Sequence, residues 1–268
     1  MPIIAMNQEM GSLGKDVAIA LASELELKLV RHEVFDHVAE KMHTRKSLIR
    51  RVVEGKAGVF DRITTDQRTL ATYTAEEVFD RAAEGNVVIR GWGATCLLRS
   101  IPHIPCVRIC APMELRVKWL MERLETDDEE LVREELRRSD AAHIHNMSLR
   151  FGVTWGDPLI YDLVLSTERI SVQSCVEQIK ALLKLPEFQE TPQSRAQLED
   201  AALAAHIRAA LKGDPESDDV NIAISVDRGE VVLEGMVFNN HEYAAAKRVT
   251  SDVRGVRSID NRLRLMAR

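Results

Sequence analysis

The sequence is poor in the features that staple or export a chain. It has four cysteines, Cys96, Cys106, Cys110 and Cys175, and no CxxC pair. Cys106 and Cys110 flank Val107 and Ile109 in a run that reads as a buried strand. Reduced, buried thiols are therefore expected, and neither a disulfide framework nor a thiolate metal site. No apolar run reaches the roughly 20 residues a membrane helix needs. Pro2 to Met6 carry no basic leader and no apolar stretch of signal-peptide length, so the expected location is the cytoplasm. Positive charge is also in short supply. The net charge of -6 argues against a nucleic-acid binder that works through overall charge. No self-similarity at a period of 20–50 residues marks an array.

What is present suits a folded chain with a sizeable core: 45% hydrophobic and 29% charged residues. Residues 2–6 form a short apolar segment. The loop from Asn7 to Gly14 leads into a helix with Val17, Ala18, Leu21, Ala22 and Leu25 on one face. Further strands are predicted at 27–30, 86–90, 105–110 and 159–165. Helices are predicted over much of 33–84 and at 112–124, 127–150 and 172–183. Short buried strands alternating with helices predict a parallel sheet covered on both faces. Residues 185–197 hold two prolines and no helical apolar stripe, which predicts a linker. Beyond it the order is α-β-β-α-β. The helix covers 198–211, a hairpin turns at Asp227-Arg228-Gly229, a second helix covers 241–252, and a last strand covers 256–265. The expected division is 1–184, a linker at 185–197, and a module at 198–268.

The first strand–helix junction carries the chemistry. Gly11-Ser12-Leu13-Gly14-Lys15-Asp16 offers glycines, backbone amides and a helix N-terminus to an anion. Lys15 can reach terminal phosphates as a point charge. The match to G-x-x-x-x-G-K-[ST] is incomplete: Glu9 stands at the first glycine and Asp16 at the Ser/Thr. Asp16 suits a magnesium ligand, direct or through water. It equally suits a helix first turn, where the dipole favours a carboxylate. An ordinary glycine-containing turn is the bland alternative for the whole loop.

Together with three further segments, this loop resembles the cytidylate kinase-like branch of the P-loop nucleoside monophosphate kinases over residues 2–183. Gly11 to Lys15 resembles that family's G-S-G-G-[RK], which also lacks the first Walker glycine. Val88 to Ala94 resembles its strand ending in G-R-G-A. Ala111-Pro112 with Arg116-Val117 resembles A-P-x-x-x-R-V, and Tyr161 to Thr167 resembles Y-D-L-V-L-N-T. The resemblance implies a three-layer P-loop NTPase fold that binds ATP or another nucleoside triphosphate with Mg2+. Gly11, Ser12, Leu13, Gly14, Lys15 and Asp16 would line the phosphate site, Asp16 would hold the metal, and Lys15, Arg116 and Asp140 would serve catalysis. Several arginines of the family pattern are replaced. Arg31-His32-Glu33 stands for Asp-Arg-Glu, Trp92 for the arginine of G-R-G-A, and His143 for the arginine of D-x-x-R after Asp140. Arg133, Arg137 and Arg138 precede Asp140. They read as lid arginines or as a solvated face, because Glu129, Glu130, Glu134 and Glu135 are interleaved with them. His143 and His145 are two apart and do not share a helix face. Trp92 suits base stacking or packing under the loop. Trp155 suits a structural turn.

Residues 198–265 resemble a BON domain, through Gly229-Glu230-Val231-Val232-Leu233-Glu234-Gly235 and through Val253 to Leu263. That implies a non-catalytic binding module. Its mixed charges weaken a lipid-binding role, since anionic membranes want a basic cluster. A protein or intramolecular contact is expected instead. Two functions follow for the whole chain: a phosphotransferase acting on a nucleotide or other small acceptor, or a nucleotide sensor without turnover. Nucleotide binding is common to both.

Overall fold

In a computed structural model that describes residues 1–30, 33–53, 65–91 and 93–266, the first five strands pair entirely in parallel. They are β1 (Ile3–Gln8), β2 (Lys28–Val30), β3 (Val87–Arg90), β4 (Cys106–Cys110) and β5 (Leu163–Ser166), in the order β2-β3-β1-β4-β5. Strand β1 is central because Ile3, Ile4, Ala5 and Met6 are all buried. A strand apolar on both faces must be covered on both. Ile3 and Ala5 face one core with Val87 and Ile89. Ile4 and Met6 face the other with Val88, Val107 and Ile109.

Helix α1 (Gly14–Glu24) packs on the second core through Val17, Ala18 and Leu21, beside α8 (Val172–Leu182). Helices α2 (Glu33–Lys41), α3 (Lys46–Val53) and α4 (Gln67–Glu84) cover the first. The short α5 (Ala94–Leu97) follows β3, and α6 (Met113–Leu124) and α7 (Glu129–Phe151) lie between β4 and β5. The chain leaves β1 toward the β2 edge and later crosses to β4. A crevice therefore opens outside the carboxyl ends of the strands at β1, the usual ligand position in such sheets.

The second sheet has the order β6-β7-β8. Strands β6 (Ala223–Asp227) and β7 (Glu230–Val237) form the predicted hairpin. Strand β7 pairs in parallel with β8 (Ser258–Leu265) across α10 (Asn240–Asp252). At the hairpin turn Arg228 and Gly229 both have positive φ, 48° and 82°, which is the two-residue turn whose twist suits the flanking strands.

Three sequence assignments are corrected. Residues 158–160 are a 3-10 turn rather than strand: Pro158 has no N–H, and the Asp157 carboxylate accepts the Leu159 amide (2.9 Å). Strand β6 begins at Ala223, although the alternation of Val220, Ile222, Ile224 and Val226 with polar residues predicts strand from 220. Residues 192–197, placed in the linker, form the first turns of α9 (Pro192–Gly213). Pro192 sits in the first turn, where its missing N–H costs nothing, and Thr191 and Ser194 form a reciprocal capping box. Helix α9 is apolar on two opposite faces. Leu198, Ala202, Ala205 and Ala209 belong to the core of the five-stranded unit, while Leu203, Ala204, Ile207 and Leu211 belong to that of the second sheet. Its first face lies along α4, where alanines permit close approach. Arg195 donates to the Ala83 carbonyl (2.8 Å), His206 meets Asp80 (2.5 Å) and Lys212 meets Asp66 (3.4 Å).

Candidate nucleotide site

The loop after β1 turns its carbonyls inward and its amides outward. The Ser12 hydroxyl is fully buried and shared between the carbonyls of Glu9 (2.8 Å) and Ile109 (3.1 Å). The Thr167 hydroxyl donates to the Ser12 carbonyl (2.9 Å), and Arg116 Nε donates to the Met10 carbonyl (2.7 Å). Among the described residues, the amides of Leu13, Gly14 and Lys15 have no backbone acceptor. They stand at the positive end of α1 and suit an anion. Leu13 holds a left-handed conformation (φ 58°) to make this turn. A Cβ on Gly14 would lie 2.6 Å from Gln8 Cβ, and one on Gly11 (φ +83°) would lie 3.0 Å from the Arg116 carbonyl oxygen. Both glycines are sterically required.

Glu9, at the missing first glycine, ties the loop to the sheet. Its carboxylate accepts from Arg108 Nη2 (2.6 Å) and from the Ala111 amide (3.1 Å). Arg108 is itself buried, with its guanidinium 4.2 Å from the Trp155 ring centre and 5.6 Å from that of Tyr161. Trp155 Nε1 donates to Asn7 Oδ1 (3.0 Å), Asn7 donates to the Tyr161 hydroxyl (3.1 Å), and that hydroxyl donates to the Trp155 carbonyl (2.8 Å). Burial pushes the Tyr161 phenol up from its ordinary value, so it stays a donor. Trp155 is thus a packing residue, and His143 stacks on it at 5.1 Å. Sequence reasoning missed this network, in which Asn7 meets Trp155 and Tyr161 from 148 and 154 positions away.

Arg116 and Asp140 come together as a bidentate pair (2.7 and 2.8 Å) with Arg116 buried. With the bond to Met10, the pair braces the phosphate loop against α7. Lys15 and Gly11 line a cavity of about 420 Å³ at the carboxyl ends of the strands, and Arg116 and Asp140 are not among its lining residues. Arg50, Arg90, Arg123 and Arg150 join Lys15 on its wall, which has no carboxylate among the described residues. Arg150 donates to Gln67 (3.0 Å), its Nε is buried without an acceptor, and burial holds its proton affinity below the usual value. An anion in the cavity would relieve that desolvation. Of these arginines, Arg123 lies two turns after Arg116 on α6, and Arg90 belongs to the Val88 to Ala94 motif. Arg50 and Arg150 carry no local sequence signal.

The other sequence candidates are placed as follows. Asp16 is exposed in the first turn of α1. The lid arginines face glutamates: Arg133 pairs with Glu114 and Glu129, Arg137 with Glu130 and Arg138 with Glu135. They form a solvated, charge-compensated face. His143 donates from Nδ1 to the Ser139 carbonyl (2.8 Å) and also lines the cavity. Arg31, His32 and Trp92 lie outside the described residues. All four cysteines are free, and burial raises the Cys106 thiol to about 12. No described helix is long and apolar enough to cross a membrane.

Sheet order, phosphate loop and cationic crevice together define a kinase-like, nucleotide-binding P-loop fold. The chain belongs to the cytidylate kinase-like family, whose sequence model matches residues 3–169, and a BON domain matches residues 199–267. It is 24% identical over 200 residues to a cytidylate kinase of Saccharolobus islandicus (strain Y.G.57.14 / Yellowstone #1), covering 74% of this chain and 99% of that one. A cytidylate kinase of Staphylothermus marinus is 27% identical over 109 residues, 41% of this chain and 60% of its own. Among solved structures, an uncharacterized protein of Eubacterium ventriosum superposes with a TM-score of 0.54 at 22% identity, covering 68% of this chain and 98% of that one.

Proposed function

We propose that the protein is a phosphotransferase that moves the terminal phosphoryl group of a nucleoside triphosphate, such as ATP, to a small anionic acceptor of nucleotide type. The observation that carries this reading is the convergence of five cationic side chains, Lys15, Arg50, Arg90, Arg123 and Arg150, on one cavity beside the phosphate loop. Phosphoryl transfer asks a protein mainly for position and positive charge around the moving group. Where His143 stands in place of a family arginine, charge comes instead from the ends of α3, β3, α6 and α7.

In this reading the amides of Leu13, Gly14 and Lys15 and the Lys15 ammonium hold the triphosphate. Arg116 and Asp140 keep the loop in shape, which makes them positioning residues. Asp16, exposed in the first turn of α1 though not among the cavity's lining residues, would hold Mg2+ together with phosphate oxygens and water, the oxygen ligands that ion favours. When bound it would neutralise phosphate charge. The arginines orient the acceptor and exclude like-charged side chains. The BON module contacts a protein partner; Met236 and Phe238, exposed at the end of β7, suit that role.

The test is transfer from ATP with magnesium to a panel of nucleoside monophosphates. CMP is expected to turn over well below the roughly 1–100 per second common for kinases, and more slowly than another acceptor on the panel. Restoring Trp92→Arg with His143→Arg is expected to raise the CMP rate. A wild type that binds ATP but transfers to no acceptor would overturn the phosphotransferase reading. The commitment of motif residues Arg116 and Asp140 to each other favours the sensor reading in that event.

A further inference from the structure

A larger cavity, about 780 Å³, lies at the opposite end of the first sheet. Residues Met1 and Pro2, just before β1, border it, whereas the phosphate loop follows β1. The two sites are thus separated by the six residues of that strand, about 20 Å. Its wall is assembled from the loop before β4, the end of α8, the segment 188–191 and the first turn of α9. The volume is in the range of metabolite pockets.

Two side chains on this wall carry buried polar atoms with no partner among the described residues. His103 is 3% exposed, and neither ring nitrogen has a hydrogen-bond partner. Arg195 directs Nε to Glu199 (2.9 Å) and Nη2 to the Ala83 carbonyl, but its buried Nη1 has no acceptor. An unsatisfied buried polar group is costly, so a native fold retains few. Burial pushes the His103 imidazole below its ordinary proton affinity. A neutral ring carries one N–H donor and one bare acceptor nitrogen. The cavity's charge is mostly positive: Lys180, Lys184 and Arg195 against Glu190, which is itself bonded to the Met1 amine (2.6 Å). Lys180 is engaged by Glu24 and Glu177, and Lys184 forms no ion pair among the described residues.

We propose that this seam cavity is a second ligand site, for a small hydroxylated organic anion. An anionic oxygen accepts from Arg195 Nη1 and from the His103 N–H, a ligand hydroxyl donates to the other His103 nitrogen, and Lys184 adds charge. The ligand would touch the first turn of α9, the helix shared with the second sheet. The proposal does not depend on the phosphotransferase reading.

The test uses the full chain carrying Lys15→Ala, which weakens anion binding at the phosphate loop, and reads the signal at the second cavity itself. Citrate and tricarballylate are the probes, since they differ only in the hydroxyl. The imidazole C–H signal of His103 is followed by NMR. The expected result is a saturable shift with citrate, and binding about tenfold weaker with tricarballylate, because a site built to hydrogen-bond a hydroxyl rejects the analogue lacking it. Lys184→Gln, an exposed change, should weaken citrate several-fold, and Arg195→Gln more so. No saturable citrate shift would overturn the proposal. So would equal affinity for the two probes, or undiminished affinity in a folded Lys184→Gln chain.

Discussion

The phosphate-loop end and the contact between α4 and α9 are built on opposite plans. At the loop, directional bonds fix the geometry: Glu9 to Arg108, Arg116 to Asp140, Asn7 to Trp155 and Tyr161. Along α9 an apolar stripe of Leu198, Ala202, Ala205 and Ala209 makes the contact, and ionic groups sit at its rim. Removing material should therefore act differently in the two places. Burial is lost in proportion to area, whereas one half of a buried pair leaves the other half stranded.

The largest effect is expected from ending the chain at residue 190. That strips α9 from α4, and full burial of Leu198 alone accounts for about 1.5–3 kcal/mol. The shortened kinase-like unit should aggregate or melt well below the full chain, by more than about 10 °C. A fragment as thermostable as the full chain would break the comparison. Next comes Asp140→Ala, which strips the buried Arg116 guanidinium of its bidentate partner and leaves it the Met10 carbonyl and Glu9 at 3.7 Å. A loss of about 3–5 kcal/mol is expected from chemical denaturation. Arg137→Ala, on the exposed face of the same helix, should stay within about 0.5 kcal/mol. Similar losses for the two would mean that the brace is not needed.

Lys15→Ala tests a cation at the loop that braces nothing. It should weaken ATP binding by about 1.5–3 kcal/mol, measured by calorimetry, with the melting temperature unchanged. Equal affinity in wild type and variant would remove the phosphate role of the loop. The smallest effect is at the rim of α9. The hydrogen bond to Asp80 raises the proton affinity of His206 in the folded state. Its contribution is therefore fully present below the unfolded histidine value and is lost as pH rises through the folded one. Both groups are about one-third exposed, so solvent screening holds the gain below about 1 kcal/mol. The difference in stability between wild type and His206→Gln should shrink as pH rises from 6 to 9. A difference that grows over that range would contradict the assignment.

The same contrast explains how much was legible in the sequence. The strands, most helices and the αββαβ order follow from periodicity, because burial imposes periods of 2 and 3.6 on the residues themselves. The start of α9 was hidden by Pro192 and by Pro186 shortly before it, though Thr191 and Ser194, three apart and flanking Pro192, were a capping signal. Its second apolar face was also hidden, because a helix buried on both sides resembles an ordinary amphipathic one with extra alanines. At the site, Gly11, Gly14 and Lys15 were visible since a tight turn restricts residue type locally. Arg50 and Arg150 were not. An arginine at a helix end looks like any surface arginine until the fold brings it to the crevice. Arg116 was legible as a motif position, but its bond to Asp140 depends on how α6 and α7 pack.

Helix α9 also sets rules for anyone who would graft either half onto another protein. A joint placed at 197 or 198, where the composition changes, would cut through a continuous helix and part it from its capping box. A recombinant kinase-like unit needs the chain through Gly213, with Leu203, Ile207 and Leu211 changed to polar residues so that the vacated side is wettable. A transplanted BON module needs the same helix with Leu198, Ala202, Ala205 and Ala209 made polar. The two halves can be exchanged between proteins only as a set with the helix they share.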